Sequence, residues 1–115
     1  HLLLPRTGAE KLVFAGLSVS AGVGEELAYR GFLILALAPV AGTVGAALLS
    51  TVVFGIIHAY QGTIGIARTG ALGGVLAWGF LASGSLWPPI LAHTLIDLLA
   101  GLVFAERLVV RPPEG

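Results

Sequence analysis

The segment Gly24-Glu25-Glu26-Leu27-Ala28-Tyr29-Arg30-Gly31 sets three charges inside an otherwise apolar stretch. Between Leu12 and Ala67 no other Asp, Glu, Lys or Arg occurs. In a bilayer each such charge costs roughly 2.5–3.5 kcal/mol on insertion scales, so charges found there are paired, hydrated or used. On a helix, Glu26 and Arg30 lie four apart on one face, in the acid-first order that favours an ion pair. Glu25 lies about 100° round the helix from Glu26 and finds no partner in its own segment. The spacing predicts a structural pair and one carboxylate left for chemistry.

The charges matter because the chain reads as a membrane protein. Of its 115 residues, 57% are hydrophobic and only 10% charged, with a mean hydropathy of +0.98. A soluble domain carries about 25% charged residues to face water. Zero net charge argues against a nucleic-acid partner. Without cysteine there is no thiol nucleophile and no disulfide framework. The chain begins at His1 and lacks Met, so it is expected to be a processed chain or an excised core. Five Arg against one Lys point to a GC-rich bacterial source.

Four apolar segments follow one another with no soluble domain between them: about Gly8 to Leu37, Thr43 to Ala59, Thr63 to Ala82 and Pro89 to Ala105. Pro39 and Gly42, then Ser83-Gly84-Ser85 and Pro88-Pro89, act as the breakers. Spans of this length suit membrane helices. The expected fold is all-α: a polytopic membrane helix bundle of about four transmembrane helices, one domain over residues 1–115. Its seventeen glycines suit helices packed through small residues, with Ser20-xxx-Gly24, Gly70-xxx-Gly74 and Gly79-xxx-Ser83 as candidate contacts. In an up-and-down arrangement Arg6, Lys11, Arg68, Arg107 and Arg111 fall on one side. By the positive-inside rule both ends face the cytoplasm, in a bacterial plasma membrane.

Two further polar pairs lie in later segments. Phe54-Gly55-Ile56-Ile57-His58 and His93-Thr94-Leu95-Ile96-Asp97 each place two groups four apart on one helix face. Each alone reads as packing or local pairing. Together with Glu26–Arg30 they gather almost every interior ionisable residue, and polar groups in a membrane interior converge because nothing else can satisfy them.

Glu-Glu-x-x-x-Arg, then Phe-x-x-x-His, then His-x-x-x-Asp on successive membrane helices resembles the CAAX protease and bacteriocin-processing (CPBP, or Abi) family, which includes the CAAX prenyl endopeptidases. Arg30-Gly31-Phe32-Leu33 and Ser85-Leu86-Trp87-Pro88-Pro89-Ile90-Leu91-Ala92 extend the likeness, which covers about Gly22 to Leu99. Members usually carry more helices upstream, so this chain resembles the family's C-terminal core. The resemblance implies intramembrane endopeptidase activity on a membrane-associated peptide, either a CAAX-like C-terminus or a bacteriocin leader. By the same analogy, Glu25 is the general base and activates water with His58. Glu26 and Arg30 clamp the site, and His93 with its partner at position 97 stabilises or orients the oxyanion site. A base needs a working-range proton affinity, and preorganised donors at an oxyanion lower the barrier by a few kcal/mol.

One position departs from the pattern. CAAX-type members have Asn where this chain has Asp97, and an ionised Asp cannot donate to an oxyanion. Asp97 can instead orient His93 by accepting from its ring, be protonated, or ligate a metal. Glu25, Glu26 and Asp97 against Arg30 leave a charge of about −2, which calls for bound protons, a charged His or a divalent cation. Glu25, His58 and His93 are zinc ligands by type, so metal-dependent and glutamate-type hydrolysis both stand.

Two other readings remain: a transporter or proton-relay element, or a non-catalytic immunity protein retaining the family core. Simple hairpins also pose a geometric problem. They put His58 and His93 at opposite ends of their helices, so convergence requires a short or strongly tilted third segment or a recessed Gly84–Pro89 turn.

Overall fold

A computed structural model describes residues 5–102. Helix α1 (Gly8–Glu26) starts at a capping box: the Glu10 N–H donates to the Thr7 hydroxyl and the Thr7 N–H to the Glu10 carboxylate, which satisfies donors that otherwise have no partner. A π-helical segment, Leu27–Leu33, follows, then α2 (Ile34–Ile57), a 3₁₀ turn (Ala59–Gln61), α3 (Gly62–Ser83) and α4 (Trp87–Leu102). No strand occurs among the described residues.

The helical run from Gly8 to Ile57 is 50 residues long, too long for one crossing of a hydrocarbon core of about 30 Å. It folds back at Gly42, whose φ of 74° and ψ of 165° belong to a region open essentially to glycine. The reversal brings the Ser50 hydroxyl 2.8 Å from the Tyr29 carbonyl, to which it donates. It also packs Ile34 with Ala46, Ala47 and Ala77 in one buried cluster. Pro39, expected to share in the break, stays inside the helix; Gly42 alone makes the turn.

The molecule is inside-out by soluble standards. Its largest fully buried side chains include Arg30, Phe54, Glu26 and Ser50, while Leu12, Val40 and Ile64 are at least three-quarters exposed. Of the most apolar windows of its two long helical runs, only 17% and 22% is buried. A soluble core helix would be mostly buried. This chain is a helical membrane bundle whose outer face suits lipid.

Helix phase follows from burying Glu26. Four and eight residues earlier, Gly22 and Ser18 turn inward and are buried, and Gly22 lets Thr94 of α4 approach its backbone. The expected Ser20-xxx-Gly24 contact is therefore out of phase: both residues are exposed, and a Cβ at Gly24 meets nothing within 4 Å. Close packing falls instead at Gly22 against Thr94, Gly101 against Phe14, and Gly55 against Gly70, where a Cβ on Gly55 would lie 3.5 Å from the Gly70 Cα. A Cβ on Gly74 would lie 3.8 Å from Thr51 Cγ2, whereas the Ser83 hydroxyl donates back to the Gly79 carbonyl of its own helix.

Helix α3 ends at Gly84, which takes the left-handed conformation (φ 66°, ψ 19°) common after helix C-termini. Helix α4 begins two residues before its expected start. The Ser85 hydroxyl accepts from the Trp87 N–H at 3.2 Å, and Pro88 and Pro89 occupy the first turn, where proline is tolerated. Leu86 packs on Gly31, lying 3.2 Å from where a Cβ there would stand. The α3–α4 connection therefore sits beside the π segment, eleven residues short of the Gly42 reversal, or about 16 Å along a helix. The turn is recessed, and α4 consequently delivers His93 to the level of Glu26. The expected segment end at Ala105, together with Arg107 and Arg111, lies outside the described residues. Arg68 is exposed and lies within α3.

Candidate active site

His93 is the hub. Its Nδ1 lies 2.8 Å from Glu26 Oε1 and its Nε2 2.9 Å from Glu25 Oε2, so the last two residues of α1 grip one imidazole of α4. Asp97, one turn further along α4, reaches the same Nε2 at 3.5 Å. A neutral imidazole has one N–H and one bare lone pair, and a lone pair facing a carboxylate repels it. Glu25, His93 and Glu26 therefore share one proton more than a neutral ring and two carboxylates would hold. With that proton, the charge left by Glu25, Glu26, Asp97 and Arg30 falls from −2 to −1.

Behind the hub stands Arg30, fully buried like Glu26. Its Nη1 lies 3.3 Å from Glu26 Oε1, which realises the expected i,i+4 pair even though the intervening backbone is π-helical. The pair is loosely aligned: Arg30 Nε and Nη1 and Glu26 Oε2 have no hydrogen-bond partner among the described residues. Two contacts invisible in the sequence hold the guanidinium. Nη2 donates to the Gly73 carbonyl at 2.8 Å, and Cζ stands 4.5 Å over the Phe54 ring, within cation–π range. A Cβ at Gly73 would lie 2.9 Å from Phe54 Cδ1 and 3.1 Å from Arg30 Nη2, so a larger residue there would displace both.

Phe54 ties the pieces together. Its ring centroid is 4.6 Å from that of His58 and 5.9 Å from that of His93, and Tyr29 meets it edge-on at 5.2 Å. The spacing alone reads Phe54 as packing; in the fold it is the spacer between two imidazoles. His58 ends α2, and its Nδ1 lies 2.7 Å from the Phe54 carbonyl. A carbonyl only accepts, so Nδ1 carries the hydrogen, and neutral His58 keeps the Nε2 lone pair for another partner.

Burial divides the six expected residues into two layers. Glu26, Arg30 and His93 are buried, whereas the side chains of Glu25 and Asp97 are each 36% exposed and His58 is partly exposed. The inner layer is shut away from the surface, and the outer layer reaches it in part. Chemically, this is a carboxylate oriented by a buried imidazole, with a second imidazole nearby.

Among the described residues no three His, Asp or Glu side chains are placed to share one ion, and both ring nitrogens of His93 are committed to carboxylates. Comparison with protein-family models gives a match over residues 8–99, four-fifths of the chain, to the family described as type II CAAX prenyl endopeptidase Rce1-like. No curated protein and no solved structure matches the chain.

Proposed function

Because the chain belongs to the type II CAAX prenyl endopeptidase Rce1-like family, we propose that it is an intramembrane endopeptidase of the glutamate type, with Glu25 as general base. A water held between the open oxygen of Glu25 and Nε2 of His58 gives one proton to Glu25. Its oxygen adds to the scissile carbonyl carbon, and the carbonyl electron pair moves onto oxygen. On collapse the C–N bond breaks, and the proton on Glu25 passes to the departing amine, leaving a carboxylic acid and an amine. Arg30 and Glu26 hold His93, and His93 holds Glu25. The clamp thus fixes the base through an imidazole. Asp97 supports the His93 ring from the open side.

One observation carries this reading: Glu25 is partly exposed and is gripped by a buried imidazole that is itself anchored to a buried ion pair. A base must keep its carboxylate oriented before substrate arrives, and such positioning with general-base chemistry supplies about 10²–10⁴-fold. The substrate is a membrane-associated peptide. A CAAX-like C-terminus ranks first on family grounds and a bacteriocin leader second. The same reading, resting on the distribution of Arg and Lys along the sequence, has both ends of this segment facing the cytoplasm of a bacterial cell.

The test is cleavage of an internally quenched peptide ending in a prenylated CAAX sequence by the full-length protein in detergent. Glu25→Gln is expected to lower kcat by about 10²-fold or more. Retained cleavage in Glu25→Gln removes the hydrolase reading. Glu25-dependent proton flux in proteoliposomes without peptide cleavage would support a transporter instead.

A further inference from the structure

The hydrolysis proposed above puts a proton of the attacking water on Glu25 and ends with that proton on the departing amine. An amide nitrogen does not leave as an anion, so some group must deliver the proton to it, a general-acid step. Glu25 is poorly suited to make the whole journey. One of its oxygens is held 2.9 Å from His93 Nε2, and the hold that orients the base also stops its carboxyl from turning after the proton. His58 is occupied, since its Nδ1 faces the Phe54 carbonyl at 2.7 Å and its Nε2 holds the water. Glu26 is fully buried.

One carboxylate of the outer layer is left. Asp97 Oδ2 lies 3.5 Å from the same Nε2 that Glu25 Oε2 approaches at 2.9 Å. Two atoms beside one nitrogen are no further apart than those two distances together, so the oxygens lie within about 6.4 Å of each other. A proton crosses such a gap directly or through one bridging water. The ring offers a single hydrogen at Nε2. The nearer Glu25 takes the larger share of it, while 3.5 Å is at the long limit of a hydrogen bond, so Asp97 is the less engaged of the two carboxylates. Both side chains reach the surface to the same extent. A carboxylate that served only to hold His93 would gain from a short, buried contact, such as the one Glu26 makes with Nδ1 at 2.8 Å. Asp97 has neither the short distance nor the burial, and it stands beside the base.

We infer that Asp97 is a catalytic residue, the general acid that carries the proton from Glu25 to the scissile nitrogen. Once the water oxygen has added to carbon, Glu25 passes its proton to Asp97 and Asp97 passes it to the nitrogen. The C–N bond then breaks with its electron pair staying on nitrogen, the carbonyl re-forms, and both carboxylates end ionised as they began. An Asn at this position accepts from the ring but cannot take up and release a proton. The inference rests on the hydrolase reading, and the test separates the two. In the full-length protein the quenched CAAX peptide is compared with a counterpart in which sulfur replaces the scissile nitrogen. A thiol of pKa about 8.5 leaves as a thiolate and needs no acid. Asp97→Asn is expected to lower kcat by about 10²-fold on the amide, and by less than about tenfold on the thioester. Equal losses on the two substrates, or a wild-type kcat on the amide, overturn the inference, because a residue that only orients His93 acts on water attack and slows both alike. Asp97→Glu keeps a titrating carboxyl, so its amide-to-thioester ratio of kcat should stay within about threefold of the wild type; a ratio as low as that of Asp97→Asn also overturns it. Glu25→Gln is measured alongside. If Glu25→Gln loses both substrates while Asp97→Asn slows both equally, only the Asp97 role falls; if Glu25→Gln cleaves the amide like the wild type, both readings fall.

Discussion

Removing the guanidinium of Arg30 tests the clamp most directly. Arg30 and Glu26 are both fully buried, so Arg30→Ala strands a carboxylate that keeps only its contact with His93. It also leaves the Gly73 carbonyl without its side-chain donor and empties the space over Phe54. Breaking a buried pair by deleting one partner typically costs 3–5 kcal/mol. The 3.3 Å separation and the unpartnered Nε and Nη1 place this pair at the lower end, about 3 kcal/mol, a hundredfold in the folded ratio. Arg30→Lys restores a charge but not the planar fork that reaches both Glu26 and Gly73, so it should fall between. In the Glu26→Gln/Arg30→Ala double variant no stranded charge remains, and its loss should be smaller than the two single losses added. The assay is thermal unfolding in detergent with peptide cleavage measured on the same preparations. An Arg30→Ala protein as stable and as active as the wild type refutes the reasoning, and additive losses in the double variant refute the pairing.

Asp97→Asn should lower activity by about 10–100-fold, the scale of changes to groups that support a working imidazole; turnover equal to or above wild type would reject the supporting role. Gly22→Ala should destabilise the α1–α4 contact by about 1–3 kcal/mol through overpacking against Thr94, whereas Gly24→Ala, with open space around it, should be neutral or stabilising by up to about 1 kcal/mol. Thermal unfolding of the two variants compares the phases directly, and equal losses would mean that the helix rotation is wrong. On the glutamate-type reading cleavage should survive a chelator, and among the described residues no three His, Asp or Glu side chains are placed to share one ion; loss of activity that added zinc restores would overturn the glutamate-type assignment.

The sequence by itself determined the solvent, the class and the polar inventory. A chain with so few charges cannot cover itself against water, and four apolar segments with breakers between them leave helices as the way to satisfy the backbone. The Glu26–Arg30 pair was also legible, because residues four apart meet on any helix, and the ion pair survives even the π-helical backbone. What spacing could not supply were partners beyond one helical turn. Glu25 has no mate within its own segment, and the one it finds, His93, is sixty-eight positions away on another helix. The sequence also proposed the wrong phase for α1, since Ser20 and Gly24 match the small-residue pattern as well as Ser18 and Gly22 do. Only the burial of Glu26 against α4 chooses between them. The Gly73 carbonyl holding Arg30 has no side chain to announce it. The recessed turn at Leu86, which brings His93 level with Glu26, depends on how far α3 and α4 slide along the π segment. These choices were decided in three dimensions for one reason. Helix periodicity records which side chains share a face, whereas the rotation and depth of each helix are set by where its buried polar groups can meet.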